Sequence, residues 1–495
     1  MNEINKEQQY YCIFDCESDN KHPNAFTQVL SFAGILVDSN FNVLEEFEEL
    51  SKLRSNQCVS PTALLVNQLT PSQLGKNSNY NSNYEFAKIV VGKFKGYIEK
   101  YKKVCFIAYN SSFDIGLLRS SICWNNLLCK DMYLTSTLPA TIIDGLAYSH
   151  ALGAFSENLK VPYSEVTGRK SFSLEGLAVE NGIEVKGSSH EALVDCHIFL
   201  DFLKKFDKSD PEILISLNKT SHKQKVYELL KSNKNIWMNV AFYYGKPNYH
   251  PLSFIGSNEN ANSCFFIDLK NFNEDMLTLG FQDLKKVFTR DKNKVLKTLY
   301  ANKNPILFSE EYCQSKEEPL DLKYSAMVKR HDMIQENDEF ITRAENIIND
   351  ILSEKQWDNS YEYAETALYA GFLNYDDQKK LDEFHNADNW HDKRKIIKSF
   401  QDPRIKEIGE NLIYANDESV LKPDELQRVG SRLARRISDV SKGPKNIYMT
   451  IENAQSEIDK LREEALEAEN AKRLEKVEEI NDYLEDIKEK IKKFS

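Results

Sequence analysis

The run Tyr10-Tyr11-Cys12-Ile13-Phe14 is apolar enough to form a buried β-strand, and it ends in Asp15-Cys16-Glu17. Successive strand side chains point to opposite faces, so residues two apart share a face. Asp15 and Glu17 therefore aim at one spot. Two desolvated like charges push each other towards the protonated form. A hard divalent cation between them removes that conflict, because such ions prefer carboxylate oxygens. The competing reading is a strand ending at a solvated turn, where acids are ordinary.

Two later segments supply what a lone acidic pair lacks. Val104-Cys105-Phe106-Ile107-Ala108-Tyr109 is a second apolar strand, followed by Asn110-Ser111-Ser112-Phe113-Asp114. Asn110 or Ser111 caps a helix there and places Asp114 in its first turns. In Ser188 to Phe202, helical spacing puts Asp195 on one face with Ala192, Phe199, Phe202 and Phe206. A carboxylate on an apolar stripe is costly unless it is paired or ligates a metal. His190 stands just before that helix, where a loop can turn it towards the same place. Taken singly, Asp114 reads as a helix-start acid and His190 as a solvated cap.

Length and composition bound the rest. At 495 residues the chain exceeds a single core and suggests two to four domains. No apolar stretch is long enough to span a bilayer, and Met1 to Lys6 lacks a signal-peptide core. Nine cysteines without a CxxC pair, several inside apolar strands, read as reduced core residues of a cytoplasmic protein. The net charge of −12 argues against a generally adhesive nucleic-acid binder. It leaves room for a local basic groove, since clefts focus the field of their own charges.

Along the chain, residues 1–205 form one unit. Strands at Val29 to Val37 and Val43 to Phe47 follow the first, and alternating strands and helices come after, predicting an α/β (α+β) unit with a mixed sheet. Residues 206–355 carry short strands around Trp237 to Tyr244 and Cys264 to Leu269, separated by Gly, Asn and Pro turns, which suggests a small β-barrel or sheet module. Residues 356–495 read as almost wholly helical. Ile451, Ile458, Leu461, Leu474, Val477, Ile480, Leu484, Ile487 and Ile491 mark a final amphipathic helix or helical hairpin.

Asp15, Glu17, Asp114, His190 and Asp195 match the motifs of the DEDD exonuclease superfamily in its histidine-containing branch. The continuation past residue 200 resembles the bacterial exodeoxyribonuclease I family. That resemblance includes His22-Pro23 and Gln28, Asn302-Lys303-x-Pro305, Ala367-Leu368-Tyr369-x-Gly371-Phe372, and Phe400-x-Asp402-x-Arg404-Ile405. It implies a ribonuclease H-like exonuclease domain, an SH3-like barrel and a helical C-terminal domain, with single-stranded DNA in a groove that they share. Departures are Ala415 to Ser419, where the family commonly carries a basic, aromatic stretch, and Ala147 and Gly153, where relatives can carry arginines.

The resemblance further implies a monomeric 3′–5′ exonuclease, acting in DNA repair and recombination, that releases 5′-mononucleotides from single-stranded DNA. Asp15, Glu17, Asp114 and Asp195 would hold two Mg²⁺ ions, with Mn²⁺ as a substitute, and His190 would act as general base ahead of His150 and His197. Asn110 and Phe113 would touch the substrate. The basic cluster Arg428, Arg432, Arg435, Arg436, Lys442 and Lys445 reads either as phosphate contacts or as a solvated helix face. The motifs do not separate DNA from RNA, and an exoribonuclease is one alternative. A non-catalytic strand-binding or recruitment protein is the other. The family also implies docking of the acidic tail of single-stranded-DNA-binding protein.

Overall fold

The computed structural model describes residues 9–20, 23–54, 57–75, 79–129, 141–185, 187, 191–232, 235–290, 292–354, 361–438 and 448–494. The apolar runs become β1 (Tyr10–Ser18), β2 (Val29–Val37), β3 (Val43–Leu50), β4 (Val104–Ala108) and β5 (Ile142–Asp144). They form one mixed sheet in the order β3-β2-β1-β4-β5. The first three strands pair antiparallel, and β4 and β5 join parallel through helical crossovers. Helix α1 (Asn83–Tyr101) precedes β4, α2 (Ser111–Leu117) follows it, α3 (Gly145–Phe155) follows β5, and α4 (Ala192–Ser209) packs across β1 and β2.

Every residue of β2 is buried, which a half-exposed sheet would not allow. Alternation explains this, because each face of the sheet meets a different part of the chain. Ile13, Ala33 and Ile35 join a core with Phe199, Phe202 and Phe206 that runs on to Met238, Phe308 and Ile347 of the middle region. Cys12, Phe14 and Phe32 point the other way, into a core with Phe94 and Phe106 that reaches Leu381, Ile408 and Leu412. Hydrophobic cores therefore cross both 205 and 355, the boundaries read from the sequence.

The middle region is a four-stranded antiparallel meander of β6 (Ile236–Tyr243), β7 (Lys246–Asn258), β8 (Ser263–Asp268) and β9 (Leu296–Tyr300), with Met238 of β6 bridged to Phe308. Two helices, α5 (Tyr324–Gln335) and α6 (Asp338–Ser353), cover it. The last part contains α7 (Pro403–Asp417), α8 (Pro423–Ser438), α9 (Ile451–Glu467) and α10 (Ala471–Lys492). Helices α9 and α10 form the hairpin. Ile458, Leu461, Val477, Ile480 and Leu484 bury together with Leu30, Leu53 and Leu64 of the first region.

Two stretches that carried the resemblance are one structure. The Arg404 guanidinium donates to the Ala367 and Gly371 carbonyls, each at 3.0 Å, and is itself held by Asp402 at 2.6 Å. Gln28 is equally structural: its amide donates to Lys52 O at 2.6 Å and accepts from Arg54 N at 3.0 Å. All nine cysteines are free and buried, as reduced core residues should be. Among the described residues no helix is long and apolar enough to cross a membrane.

Candidate active site at the end of strand β1

Strand β1 pairs Asp15 with Ala33 and Glu17 with Ser31, so both acids face the side on which α4 lies. The first turn of α4 carries Asp195. Oxygen atoms of Asp15, Glu17 and Asp195 all come within 4.8 Å of one another, a spacing that one or two cations can bridge. Strand alternation in β1 and helical spacing in α4 thus bring the three acids to the same point.

Asp114, 2 % exposed, lies just beyond this trio, in α2. Its Oδ1 accepts from the Cys16 backbone N–H and from the Cys16 thiol, each at 3.2 Å. The residue between the two acids of the tripeptide thus holds the fourth acid of the cluster.

Electrostatics mark the cluster as incomplete without a cation. Burial, then Asp195 and Asp114, push the Glu17 carboxyl up to about 8. Burial, then Asp114, Glu17 and Asp195, raise Asp15 well above the carboxylate range. Asp114 is pushed up to about 7, chiefly by burial, although the Cys16 bonds oppose this. Every influence on Asp15 and Glu17 is in the raising direction. Acids crowded in this way ionise together only when positive charge neutralises them. An all-carboxylate donor set suits hard cations such as Mg²⁺ or Mn²⁺.

Two residues beside the site were not singled out in the sequence. Asp144, at the end of β5, accepts from Ser111 N at 3.3 Å and Leu146 N at 3.0 Å, and its charge contributes to raising Asp114. Its own N–H donates to Asn304 Oδ1 at 3.0 Å, while Asn304 Nδ2 reaches Leu217 O at 2.8 Å. Asn304 is the variable position inside Asn302-Lys303-x-Pro305. The only local signal for Asp144 was an acid at a strand end before Gly145. Asn110 sits at φ 62° and makes no capping bond with its side chain, so the cap expected of Asn110 or Ser111 is replaced by Asp144. Asn110 is exposed, and Phe113 is half-buried against the core.

A model of the Exonuclease I C-terminal domain matches residues 362–487. The exodeoxyribonuclease I of Buchnera aphidicola subsp. Acyrthosiphon pisum is 25% identical over 427 residues, covering 82% of this chain and 97% of that protein. The chain is similar to exodeoxyribonuclease I over most of its length. Its fold agrees. A moderately thermophilic Exonuclease I from Methylocaldum szegediense superposes with a TM-score of 0.77 at 20% identity, over 97% of this chain and 99% of that one. E. coli Exonuclease I in complex with a dA16 oligonucleotide gives 0.77 at 21%, over 97% and 100%.

The remaining residues expected from the exodeoxyribonuclease I resemblance divide into three groups. His190, Lys442 and Lys445 lie outside the described residues. The rival histidines are turned to other work. His150 stacks on Phe242 at 4.6 Å and burial lowers it to about 4, while His197 is exposed and faces Glu46 at 3.2 Å. Most of the arginine cluster is not a free phosphate-binding face. Arg428 is forked onto Glu410 at 2.8 and 2.9 Å, and Arg432 approaches Asn411, Glu407 and Glu410. Arg436, 8 % exposed, pairs with Glu365 at 2.7 Å and stacks on Phe26. Arg428 and Arg435 are both exposed and Arg432 is half-buried; Arg435 lies on the outer side of the helix and, among the described residues, has no acid forked onto it as Arg428 has.

Proposed function

We propose that the protein is a metal-dependent 3′–5′ exodeoxyribonuclease that removes 5′-mononucleotides from single-stranded DNA, acting as a monomer in cytoplasmic DNA repair and recombination. The convergence of Asp15, Glu17 and Asp195 within 4.8 Å, on the fold of Exonuclease I, carries this reading. Among similar proteins, E. coli Exonuclease I has been seen with ssDNA and with zinc, and an Exonuclease I has been seen together with SSB.

Asp15, Glu17, Asp114 and Asp195 are the residues that would hold two Mg²⁺ or Mn²⁺ ions. Bound there, such ions supply an acidified water and charge to stabilise a leaving oxyanion. Cys16 fixes the direction of Asp114 by its two bonds to Oδ1. His190, one residue ahead of Glu191 and the start of α4, is placed in sequence to accept the proton of the attacking water, a task for a group titrating near neutrality. Single-stranded-DNA-binding protein would dock through its acidic tail. Gly153 and Ala147 remove two arginines that could receive it, so that surface must lie on other basic residues.

The decisive experiment digests matched 3′-ended DNA and RNA oligonucleotides in competition, with Asp15→Asn alongside. Preferential loss of DNA from the 3′ end by wild type, and at least a thousandfold loss in Asp15→Asn with retained DNA binding in Ca²⁺, is the expected result. Faster RNA loss moves the assignment to an exoribonuclease. Substantial turnover by Asp15→Asn removes the metal assignment.

A further inference from the structure

The β6–β7 hairpin turns through Tyr244 and Gly245, at φ 55° and 75°. Two consecutive positive φ values are the habit of the tight hairpin turn that favours Asn-Gly or Gly-Gly. A bulky aromatic residue is among the least suited to the first position, because its Cβ crowds the backbone there. Gly245 is required: a Cβ on it would stand 2.8 Å from Lys170 O and 2.9 Å from Lys170 N. Tyr244 has no such packing reason, for it is 76% exposed, and Tyr243 beside it is 57% exposed.

What its ring does meet is a cation. The Arg169 guanidinium lies 4.4 Å over the Tyr244 ring, presented by a second turn that Tyr163 and Lys170 close as a bridge. Tyr163 is also exposed, at 68%. Arg169, Lys170 and Lys246 oppose a single acid, Glu165, across these two loops. The result is an outward-facing aromatic and basic surface built jointly by the first and middle regions.

Packing joins this surface to the segment that leads into α2, the helix that carries Asp114. Tyr109, which precedes Asn110 at the end of β4, donates its hydroxyl to Phe172 O at 2.5 Å. The Phe172 ring packs against Phe242 at 4.7 Å, and Phe242 adjoins Tyr243. Gly153 makes this possible, since a Cβ there would come within 2.9 Å of the Phe172 ring. The position where relatives can carry an arginine is therefore filled by an aromatic wall.

We propose that Tyr243 and Tyr244, with Arg169, form a stacking platform for bases of a single strand whose 3′ end lies at the carboxylate site. The inference rests on the exonuclease reading above. Exposed aromatics grip unpaired bases whatever their sequence, and a guanidinium over the ring adds attraction for base and phosphate. Stacking accounts for the unfavourable turn residue, which neither burial nor backbone preference explains.

Tyr244→Asn separates the two demands, because asparagine suits the turn and cannot stack. The full-length variant should melt at or above the wild-type temperature. In Ca²⁺, its affinity for a 20-residue oligo(dT) should fall about tenfold or more, and further in Tyr243→Ala/Tyr244→Asn. Loss of affinity for a trinucleotide should be at least fivefold smaller. A 2-aminopurine placed along the strand should be quenched by wild type and brightened in the variant. Wild-type affinity for the 20-mer in the double variant overturns the platform, even if a protein is later found on these tyrosines. If wild type itself digests no single-stranded DNA, the exonuclease reading fails first.

Discussion

Cys16 gives both its backbone N–H and its thiol to one oxygen of Asp114, each at 3.2 Å, in a fully buried setting. Asp15 and Glu17 face α4, while the residue between them faces α2 and steadies the acid which that helix carries. The tripeptide thus serves both sides of the sheet. Two bonds to the same oxygen leave Asp114 little rotational freedom.

Removing the thiol should loosen that acid without deleting it. Cys16→Ala is expected to lower kcat by about tenfold, since a net hydrogen bond contributes roughly 0.5–1.5 kcal/mol. It should also raise the Mn²⁺ concentration needed for half-maximal binding in calorimetry. Cys16→Ser should recover most of both. Equal, wild-type-like behaviour of Ala and Ser would show that the backbone N–H alone suffices.

The acid cluster makes the metal-free fold sensitive to pH in a defined direction. Glu17 rises from 4.5 to about 8 and Asp114 from 3.8 to about 7. A raised carboxyl binds more protons folded than unfolded, so stability falls as pH rises between the two values. In EDTA the melting temperature should therefore drop between about pH 5 and pH 8. Mg²⁺ or Ca²⁺ should restore it most at the alkaline end. A flat profile in EDTA, with no response to cation, would mean that these acids do not share a site.

Among the histidines, one should matter for the chemistry. His190→Ala is expected to lose about two to four orders of magnitude in turnover, the usual contribution of a general base. Cation affinity should change little. His197 lies on the surface opposite Glu46, and His197→Ala should stay within a factor of two. A comparable loss from both, measured in initial rates on a short oligonucleotide, would remove His190 from its role.

The arginine helix makes a stability prediction instead of a processivity one. Glu365 compensates Arg436, and its loss leaves that guanidinium buried near Arg54. Glu365→Ala should cost about 3 kcal/mol or more, because breaking one side of a buried pair leaves a charge uncompensated. Arg435→Ala should be neutral for folding, and its effect on the salt slope of DNA binding tests phosphate contact by this helix. Urea melts of the two variants decide the matter.

Local periodicity alone fixed a large part of this protein. Alternation placed Asp15 and Glu17 on one face, helical spacing put Asp195 on the inner face of α4, and the hydrophobic stripe of residues 451–491 became a buried hairpin. These features need only a residue's direction relative to its own element, which the backbone period sets. What stands opposite is a matter of long-range packing. The turning of Asp114 onto Cys16, the placing of Asp144 and Asn304 behind it, and the pairing of Arg428, Arg432 and Arg436 with acids all join distant segments. The same holds for the cores that run across residues 205 and 355, which exist because both faces of one sheet must be covered. A chain read residue by residue shows which groups can reach a common point; only the packed sheet, with different partners on each face, decides which of them do.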